Sequence, residues 1–476
     1  MSKIILVQPP DPPQTQILRD HMGKFGILKK SSSIIRDDVL PPLDLAYSAS
    51  LLEKNGHEVD ILDSPTLGLN STQVLQLITK ENPELVVINT SSVSIKHDLD
   101  FAADVKNVVD GAIVVTGPHV TLNPNIALQK KEIDLVICGE IEYTILELSQ
   151  KLSSFGDIKG ITYKENGNII NTPKRPLITQ LDELLPPAYH LLPMKKYSYH
   201  LLKKRPFITV LSSRGCPFGC IYCPYPLGYG NVWRGRSPEN VLSELKMLVE
   251  KYGIKSVLFR DQVFTFDMGR TEKICEGMVR DGIDIEWRCE TRIDRLSKNL
   301  MVKMKKAGCA GIHVGVESGD PAILRKTAKV GITVDQIKKV FREAKEVGLE
   351  TVAFFIIGLP GETKESISRT LNLAKTLSSD ITWFTAAVPY PGTKLHELAE
   401  KKGWILTKDF EKYTGREVVM RTDDLTEDDI RMALLEAKKM FLSRTDLIKM
   451  LFTRKGLSIL FSSPRTAMEF AFSKFK

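Results

Sequence analysis

"FITVLSSRGCPFGCIYCPYP", residues 207–226, sets a short apolar run directly before three cysteines spaced Cys216-x3-Cys220-x2-Cys223. Three of the chain's seven cysteines thus fall within eight positions. A structural zinc site closes its tetrahedron with four protein ligands, and no Cys or His nearby offers a fourth at the usual spacing. A [4Fe-4S] cluster held by three thiolates leaves one iron without a protein ligand, and that iron can take a small molecule. On this reading the missing ligand is the functional one.

The apolar run at 207–212 is the first of a series. "KSVLFR" (255–260), "IEWRCE" (285–290), "AGIHVGV" (310–316), "ETVAFFIIG" (350–358) and "ITWFTAAV" (381–388) follow it, separated by segments with helical spacing. Six strand and helix units predict a partial barrel of the TIM type over 206–402, with its chemistry at the strand ends. Upstream, "KIILVQ" (3–8), "HEVDILD" (57–63), "PELVVINT" (83–90), "GAIVVTG" (111–117) and "IDLVICG" (133–139) read as strands. Helical patterns lie between them at 44–56, 71–82 and 98–110. Strands apolar on both faces and alternating with helices predict a doubly wound, Rossmann-like parallel sheet over 1–155. Such sheets bind ligands at the carboxyl ends of their strands. Residues 156–205 read as a connector. It contains a hairpin at 161–173, turning at Asn166-Gly167. A mostly helical region, 403–476, completes an α/β chain.

With 476 residues, 42% hydrophobic and 26% charged, the chain is expected to form two or three globular domains. The longest uncharged apolar stretch, "TVAFFIIGLP" (351–360), is far short of the roughly 20 residues a membrane span needs. "MSKIILVQPP" has no signal-peptide core, so a cytoplasmic protein with reduced thiols is expected. Cys138, Cys275, Cys289 and Cys309 sit singly in apolar runs and read as core residues rather than disulfide partners. The net charge of +8 is concentrated in residues 431–476, which hold ten Lys or Arg against three acids. The stretch 441–461 mixes these bases with Leu, Ile, Met and Phe. It reads as a helix on the barrel mouth, or as a peripheral contact with anionic membrane surface. No nucleic-acid partner is expected from such a tail alone.

The three-cysteine loop, with the aromatic Tyr222 before its last cysteine, resembles the cluster loop of radical S-adenosylmethionine (SAM) enzymes. The resemblance continues in order down the barrel, through "FRDQVFTFD" (259–267), "CETRID" (289–294), "GVESGD" (315–320), "FFIIGLPGET" (354–363) and "VPYPGT" (388–393). It implies that Cys216, Cys220 and Cys223 hold the [4Fe-4S] cluster, and that Tyr222, Asp261, Arg292, Glu317, Ser318 and Gly358 lie around SAM. Asp261-Gln262 departs from the paired acids usual in related enzymes. The open iron would chelate the methionine part of SAM. Reductive cleavage would then yield a 5′-deoxyadenosyl radical that takes hydrogen from an unactivated carbon. The electron would come from a donor such as ferredoxin or flavodoxin.

The first domain resembles the cobalamin-binding domain of the cobalamin-dependent branch. The matching stretches are "PPLDLAYSASLLEKNGHEVDILD" (41–63), "NTSSVSI" (89–95), "TGPHVTLNP" (116–124) and "DLVICGEIEYTILEL" (134–148). The resemblance implies a corrin near Thr90, Ser91, Ser92, Gly117, His119, Gly139 and Glu140. The Asp-x-His-x-x-Gly signature is absent from "QPPDPPQTQ" (8–16), so base-off cobalamin is expected. A dinucleotide fold would carry G-x-G-x-x-G after its first strand, and this chain does not. The group resembled contains the anaerobic magnesium-protoporphyrin monomethyl ester cyclase and hopanoid or archaeal lipid-modifying proteins. Methyl transfer or cyclisation of a small hydrophobic substrate, lipid-, isoprenoid- or tetrapyrrole-like, is the expected activity. A tRNA methylthiotransferase would need three more cysteines in the first domain, where only Cys138 lies. A non-catalytic cobalamin or SAM sensor would have no use for an oxygen-sensitive cluster loop.

Overall fold

The computed structural model describes residues 2–13, 15–19, 28–30, 38–151, 154–327 and 329–441. The first sheet is built on β1 (Lys3–Gln8), flanked by β2 (Glu58–Asp63) and β3 (Leu85–Asn89), then β4 (Ala112–Thr116) and β5 (Leu135–Ile137), all parallel. Alternation along β1 shows why its residues are apolar on both faces. Ile4 and Leu6 pack with Leu45 and Leu52 of α1 (Leu43–Lys54), whereas Ile5 and Val7 pack with Val74 and Ile78 of α2 (Ser71–Glu81) and Leu99 and Val105 of α3 (Ile95–Lys106). The chain leaves β1 toward β2 on one side and returns to β3 on the other, which opens a crevice at the carboxyl ends of β1 and β3.

The hairpin forms as β6 (Ile161–Glu165) and β7 (Asn168–Asn171), with Asn166 and Gly167 at φ 50° and 81° in a turn that requires positive φ. It does not stand free in a connector. β6 pairs antiparallel with β5, Ile137 opposite Ile161, so the hairpin completes a seven-stranded first sheet.

The second sheet runs in sequence order: β8 (Phe207–Val210), β9 (Ser256–Phe259), β10 (Glu286–Thr291), β11 (Cys309–Glu317), β12 (Glu350–Ile357) and β13 (Ile381–Ala386). Every neighbouring pair is parallel, and the sheet is left open between β8 and β13. Helices α4 (Glu142–Gln150) of the first domain and α5 (Pro238–Tyr252), α6 (Met268–Arg280), α7 (Lys298–Lys306), α8 (Val334–Val347) and α9 (Lys364–Thr376) of the barrel supply the outer layers. Outward residues such as Val257, Trp287 and Ile312 are fully buried with Ile274, Met278 and Met301 in one core. That core runs on into the first domain.

Two small elements escaped the sequence pattern: a hairpin of Thr15–Ile17 with Leu28–Lys30, and an antiparallel ribbon in which Ser213–Arg214 meets Arg234–Gly235. Beyond the barrel lie α10 (Lys394–Lys402), an isolated bridge between Ile405 and Met420, and α11 (Glu427–Phe441). Residues 442–476, which hold seven of the ten bases counted in 431–476 and nearly all of the 441–461 stretch, fall outside the described residues. No described helix is long and apolar enough to cross a membrane.

Candidate active site

The cysteine loop leaves the sheet through the Arg214–Arg234 ribbon. Gly215 makes the turn at φ 83°, where a Cβ would sit 2.0 Å from the Val232 carbonyl oxygen, and Cys216 N donates to Gly230 O at 3.2 Å. All three thiols are unpaired and half-buried. Among the described residues no three His, Cys, Asp or Glu are grouped to hold a single metal ion. Burial pushes the Cys216 and Cys223 thiols up, and the neighbouring Cys220 adds to the effect in both. Holding three thiolates here therefore calls for added positive charge, which a polynuclear iron centre brings.

Four side chains meet at this loop: Arg292 and Glu317 from strand ends, Tyr222 from the loop itself, and Lys329 from the segment after the short helix Pro321–Lys326. Arg292, just past β10, points Nη1 at Cys220 Sγ (3.9 Å), is braced by Asp294 Oδ1 (2.9 Å), and lies 3.6 Å over the Phe218 ring. Glu317 ends β11 at φ 67°, a strained conformation for a non-glycine residue, and its Oε1 is 3.1 Å from Lys329 Nζ. Tyr222 hydrogen-bonds to Glu317; burial first, then that carboxylate, hold its hydroxyl far above the ordinary range. Gly315 leaves room for this pair, since a Cβ there would fall 2.2 Å from Glu317 Oε1. Lys329 belongs to no recognisable motif, and only its place in the fold brings it to the site.

The remaining barrel residues brace the site from behind. Asp261 accepts hydrogen bonds from Ser212 N (3.2 Å) and Oγ (2.8 Å) and from the Ser213 hydroxyl, so both its oxygens fasten the strand end that leads to the cysteines. Ser318 lies against Thr370 Oγ1 (3.1 Å) and accepts from Asp320 N. Gly358 turns at φ 94° with Ile430 of α11 against it, and its N–H donates to Glu362 Oε2 at 2.7 Å.

At the carboxyl ends of β3 and β4 the first sheet presents buried polar atoms with no hydrogen-bond partner among the described residues: Asn89 Oδ1, Ser92 Oγ, Thr116 Oγ1 and His119 Nδ1. Burial lowers the His119 pKa to about 4, leaving a neutral imidazole edge-on to Phe410 at 4.5 Å between ring centres. Gly117 is demanded by contact: a Cβ would meet Thr90 O at 2.4 Å. Gly139, at φ 93°, has nothing within 4 Å of where its Cβ would be and so faces open space.

Thr90, Ser91 and Glu140, expected in this crevice, have other work. Thr90 Oγ1 donates to Thr116 O (2.8 Å), and Ser91 joins Ser94, Asp98 and Arg19 in a buried ion cluster (Arg19 Nη2–Asp98 Oδ1 2.9 Å). Glu140 turns toward the barrel, taking Arg234 Nη1 at 2.9 Å, Arg214 Nη1 at 3.2 Å and Ile178 N at 2.7 Å. Glu142 takes the other arm of Arg214, which lies between the rings of Tyr47 and Tyr229.

Residues 210–374 match the Radical SAM superfamily and residues 36–149 the B12 binding domain. An uncharacterized methyltransferase of Pyrococcus horikoshii is 38% identical over 425 residues, 88% of this chain and 92% of its own. The chain belongs to the radical SAM superfamily, in the branch with a B12-binding domain. As such it is a cobalamin-dependent radical SAM enzyme with a small-molecule substrate. The anaerobic magnesium-protoporphyrin IX monomethyl ester cyclase of Rubrivivax gelatinosus is 27% identical over 429 residues, covering 87% of this chain and 76% of that one. The radical SAM methyltransferase TsrM from Kitasatospora setae, solved with cobalamin and a [4Fe-4S] cluster, superposes with a TM-score of 0.70 over 94% of this chain and 90% of that one. At 16% identity this last likeness speaks for the fold.

The chain's own residues fit the branch's cofactors. Three free, half-buried thiols on one loop with a guanidinium at Cys220 suit a cluster, and the orphaned polar atoms beside the open Gly139 suit a large ring with a polar rim.

Proposed function

We propose that this radical SAM enzyme transfers a methyl group to an unactivated carbon of a predominantly apolar small molecule. The observation that carries the reading is the convergence of Arg292, Tyr222, Glu317 and Lys329 on the three-cysteine loop, with the crevice of the first sheet tied to that loop through Glu140 and Arg214. When bound, the cluster and SAM supply one-electron cleavage chemistry and cobalamin supplies a transferable methyl group. Cys216, Cys220 and Cys223 would ligate the cluster. Lys329 and Arg292 offer cations to a carboxylate, Glu317 and Tyr222 offer acceptors to an ammonium or to hydroxyls, and the turn at Gly358 gives a flat backbone surface. Asp261 and Ser318 position these groups. Ser92, Thr116 and His119 would meet the rim of a base-off corrin, with Gly117 and Gly139 giving it room and Thr90 and Ser91 shaping the floor. Methyl transfer is favoured over cyclisation because the 38%-identical relative is described as a methyltransferase, whereas the cyclase is 27% identical.

Ferredoxin or flavodoxin would reduce the cluster, the setting would be cytoplasmic, and the basic segment 441–461 would give a peripheral membrane contact where the substrate is a lipid. Anaerobic reconstitution with methyl-labelled SAM tests the central reading. Label in the product, with 5′-deoxyadenosine and S-adenosylhomocysteine both formed, is the expected result. Turnover without label in the product would assign rearrangement or cyclisation instead.

A further inference from the structure

Strand register fixes which side chains share the barrel lumen. Glu290 on β10 lies level with His313 on β11, His313 with Val352 on β12, and Val352 with Ile381 on β13. Arg260, one step beyond β9, pairs with Glu290. Two residues along from Glu290 stands Arg292, beside Cys220, so this face of the strands looks up at the cysteine loop.

Each charged group of this layer has a partner, although Arg288 Nη1 and His200 Nε2 are left without one. Arg260 has Glu290; Arg288 has Glu350 and the Leu201 carbonyl (2.9 Å); His200 Nδ1 has Asp38 (2.8 Å). His313 is 3% exposed, and its buried Nε2 finds no hydrogen-bond partner among the described residues. Burial, with Arg288 and Arg260 nearby, lowers its pKa to about 3, so the ring is a neutral donor and acceptor. Buried polar groups in native proteins are almost always satisfied, and His313 Nε2 with Arg288 Nη1 left open in one lumen marks a place for something else.

The facing wall shows that the lumen has space. Inward Phe354 and Ile356 of β12 are only half-buried, while outward Phe355 and Ile357 on the same strand are completely buried. Trp383 and Thr385 of β13, level with Phe354 and Ile356, are likewise half-buried. The lumen therefore has a charged wall on β9–β11 and an open aromatic wall on β12–β13.

We propose that His313 anchors the carboxylate of an apolar, ring-bearing substrate whose body lies along Phe354, Ile356 and Trp383. Arg260 and Arg288 flank the ring, and Arg288 keeps an Nη1 with no partner beyond its pairing with Glu350, so an acid group is preferred there to a cation. His313 is level with Glu290, two residues before Arg292, so the acid lies about 7 Å down the strands from the level of Arg292 beside the cysteine loop, at roughly 3.3 Å per residue. The inference names the substrate class of the activity proposed above and rests on that reading.

Calorimetric titration of the anaerobically reconstituted full chain with 6-phenylhexanoate and with its neutral amide tests it. Wild type is expected to bind the acid at least about tenfold tighter, as a charge-assisted hydrogen bond implies. His313→Ala should bring the two within about twofold, and His313→Gln, which keeps a donor, should retain part of the preference. Iron–sulfur absorption in each variant reports that it is folded and loaded; should His313→Ala not fold, an undiminished preference in His313→Gln overturns the proposal. So do equal affinities in wild type, binding of neither probe, or a preference that survives in His313→Ala. Failure of wild type to take up iron would refute the radical SAM reading of the loop instead, independently of which probe binds.

Discussion

Arg214 Nη2 lies 2.6 Å from Glu142 Oε1, and its Nη1 lies 3.2 Å from Glu140, so one guanidinium two residues before Cys216 is gripped by the helix start that follows Gly139. Arg234, its partner across the ribbon, is bound to the same Glu140, and all four side chains are at most 5% exposed. The carboxyl edge of the first sheet and the cysteine loop are therefore fastened by two buried acids and two buried bases. A buried network of this kind adds little net stability over apolar packing, but breaking it leaves uncompensated charge in the interior.

Arg214→Met is accordingly expected to destabilise the protein by about 3–5 kcal/mol, the usual cost of stripping one partner from a buried pair. Adding Glu142→Gln should restore part of that loss, because the stranded carboxylate is gone. Urea unfolding of the two single variants and the double variant gives the coupling. A double variant that is the plain sum of the singles would show that the two side chains act independently.

Lys329 neutralises a carboxylate that the backbone holds at positive φ. Lys329→Met leaves Glu317 buried and unpaired and removes a cation facing the cysteine loop. An interaction with a charged group is worth roughly 1.5–3 kcal/mol, so the KM for SAM in 5′-deoxyadenosine formation should rise about 10- to 100-fold, at unchanged iron content. Lys329→Arg should recover most of it. An unchanged KM would remove Lys329 from the SAM site.

Glu362 provides a pH test. It is fully buried, accepts from Gly358 N (2.7 Å) and Leu359 N (3.0 Å), and burial pushes its pKa up to about 7 against 4.5 in the unfolded chain. Between those values the folded state binds the extra proton, so this group's contribution is fully present below pH 4.5 and is lost as pH rises through about 7. The loss amounts to about 3 kcal/mol, at 1.36 kcal/mol per pKa unit. Glu362→Gln keeps an oxygen for the two N–H groups and should abolish that slope, becoming the more stable form above pH 7. Parallel slopes for the two proteins in denaturant titrations from pH 5 to 8 would contradict the assignment.

The architecture was legible because period carries it: runs such as Leu85–Asn89 are buried throughout, and the six barrel strands fall where their apolar runs lie. The cysteines were legible by spacing. What the sequence hides is contact between distant positions. Lys329 reaches Glu317 across a loop of no fixed pattern, and His313 lies in an apolar run that reads simply as strand. Glu140 was drawn to the crevice by its neighbour Gly139, yet its side chain answers to Arg214 and Arg234, 74 and 94 residues away. The ribbon that carries those arginines is two residues long on each side, too short for any period to show.

The orphaned atoms at the ends of β3 and β4 separate a ligand site from a packing flaw. Ser92 is 1% exposed and Thr116 is 1% exposed, and neither hydroxyl oxygen has a partner among the described residues. Were they flaws, Ser92→Ala and Thr116→Val would only help, since an unsatisfied buried polar group costs about 1–3 kcal/mol. If they meet the rim of a corrin, the same changes should stabilise the cobalamin-free protein by about 1 kcal/mol each and weaken its hold on the cofactor. Each lost hydrogen bond at about 1 kcal/mol corresponds to roughly a fivefold higher dissociation constant. Thermal unfolding of the cofactor-free chain and equilibrium dialysis against hydroxocobalamin measure the two effects separately. Variants that are more stable and still bind cobalamin as tightly as wild type would move the cofactor away from Ser92 and Thr116.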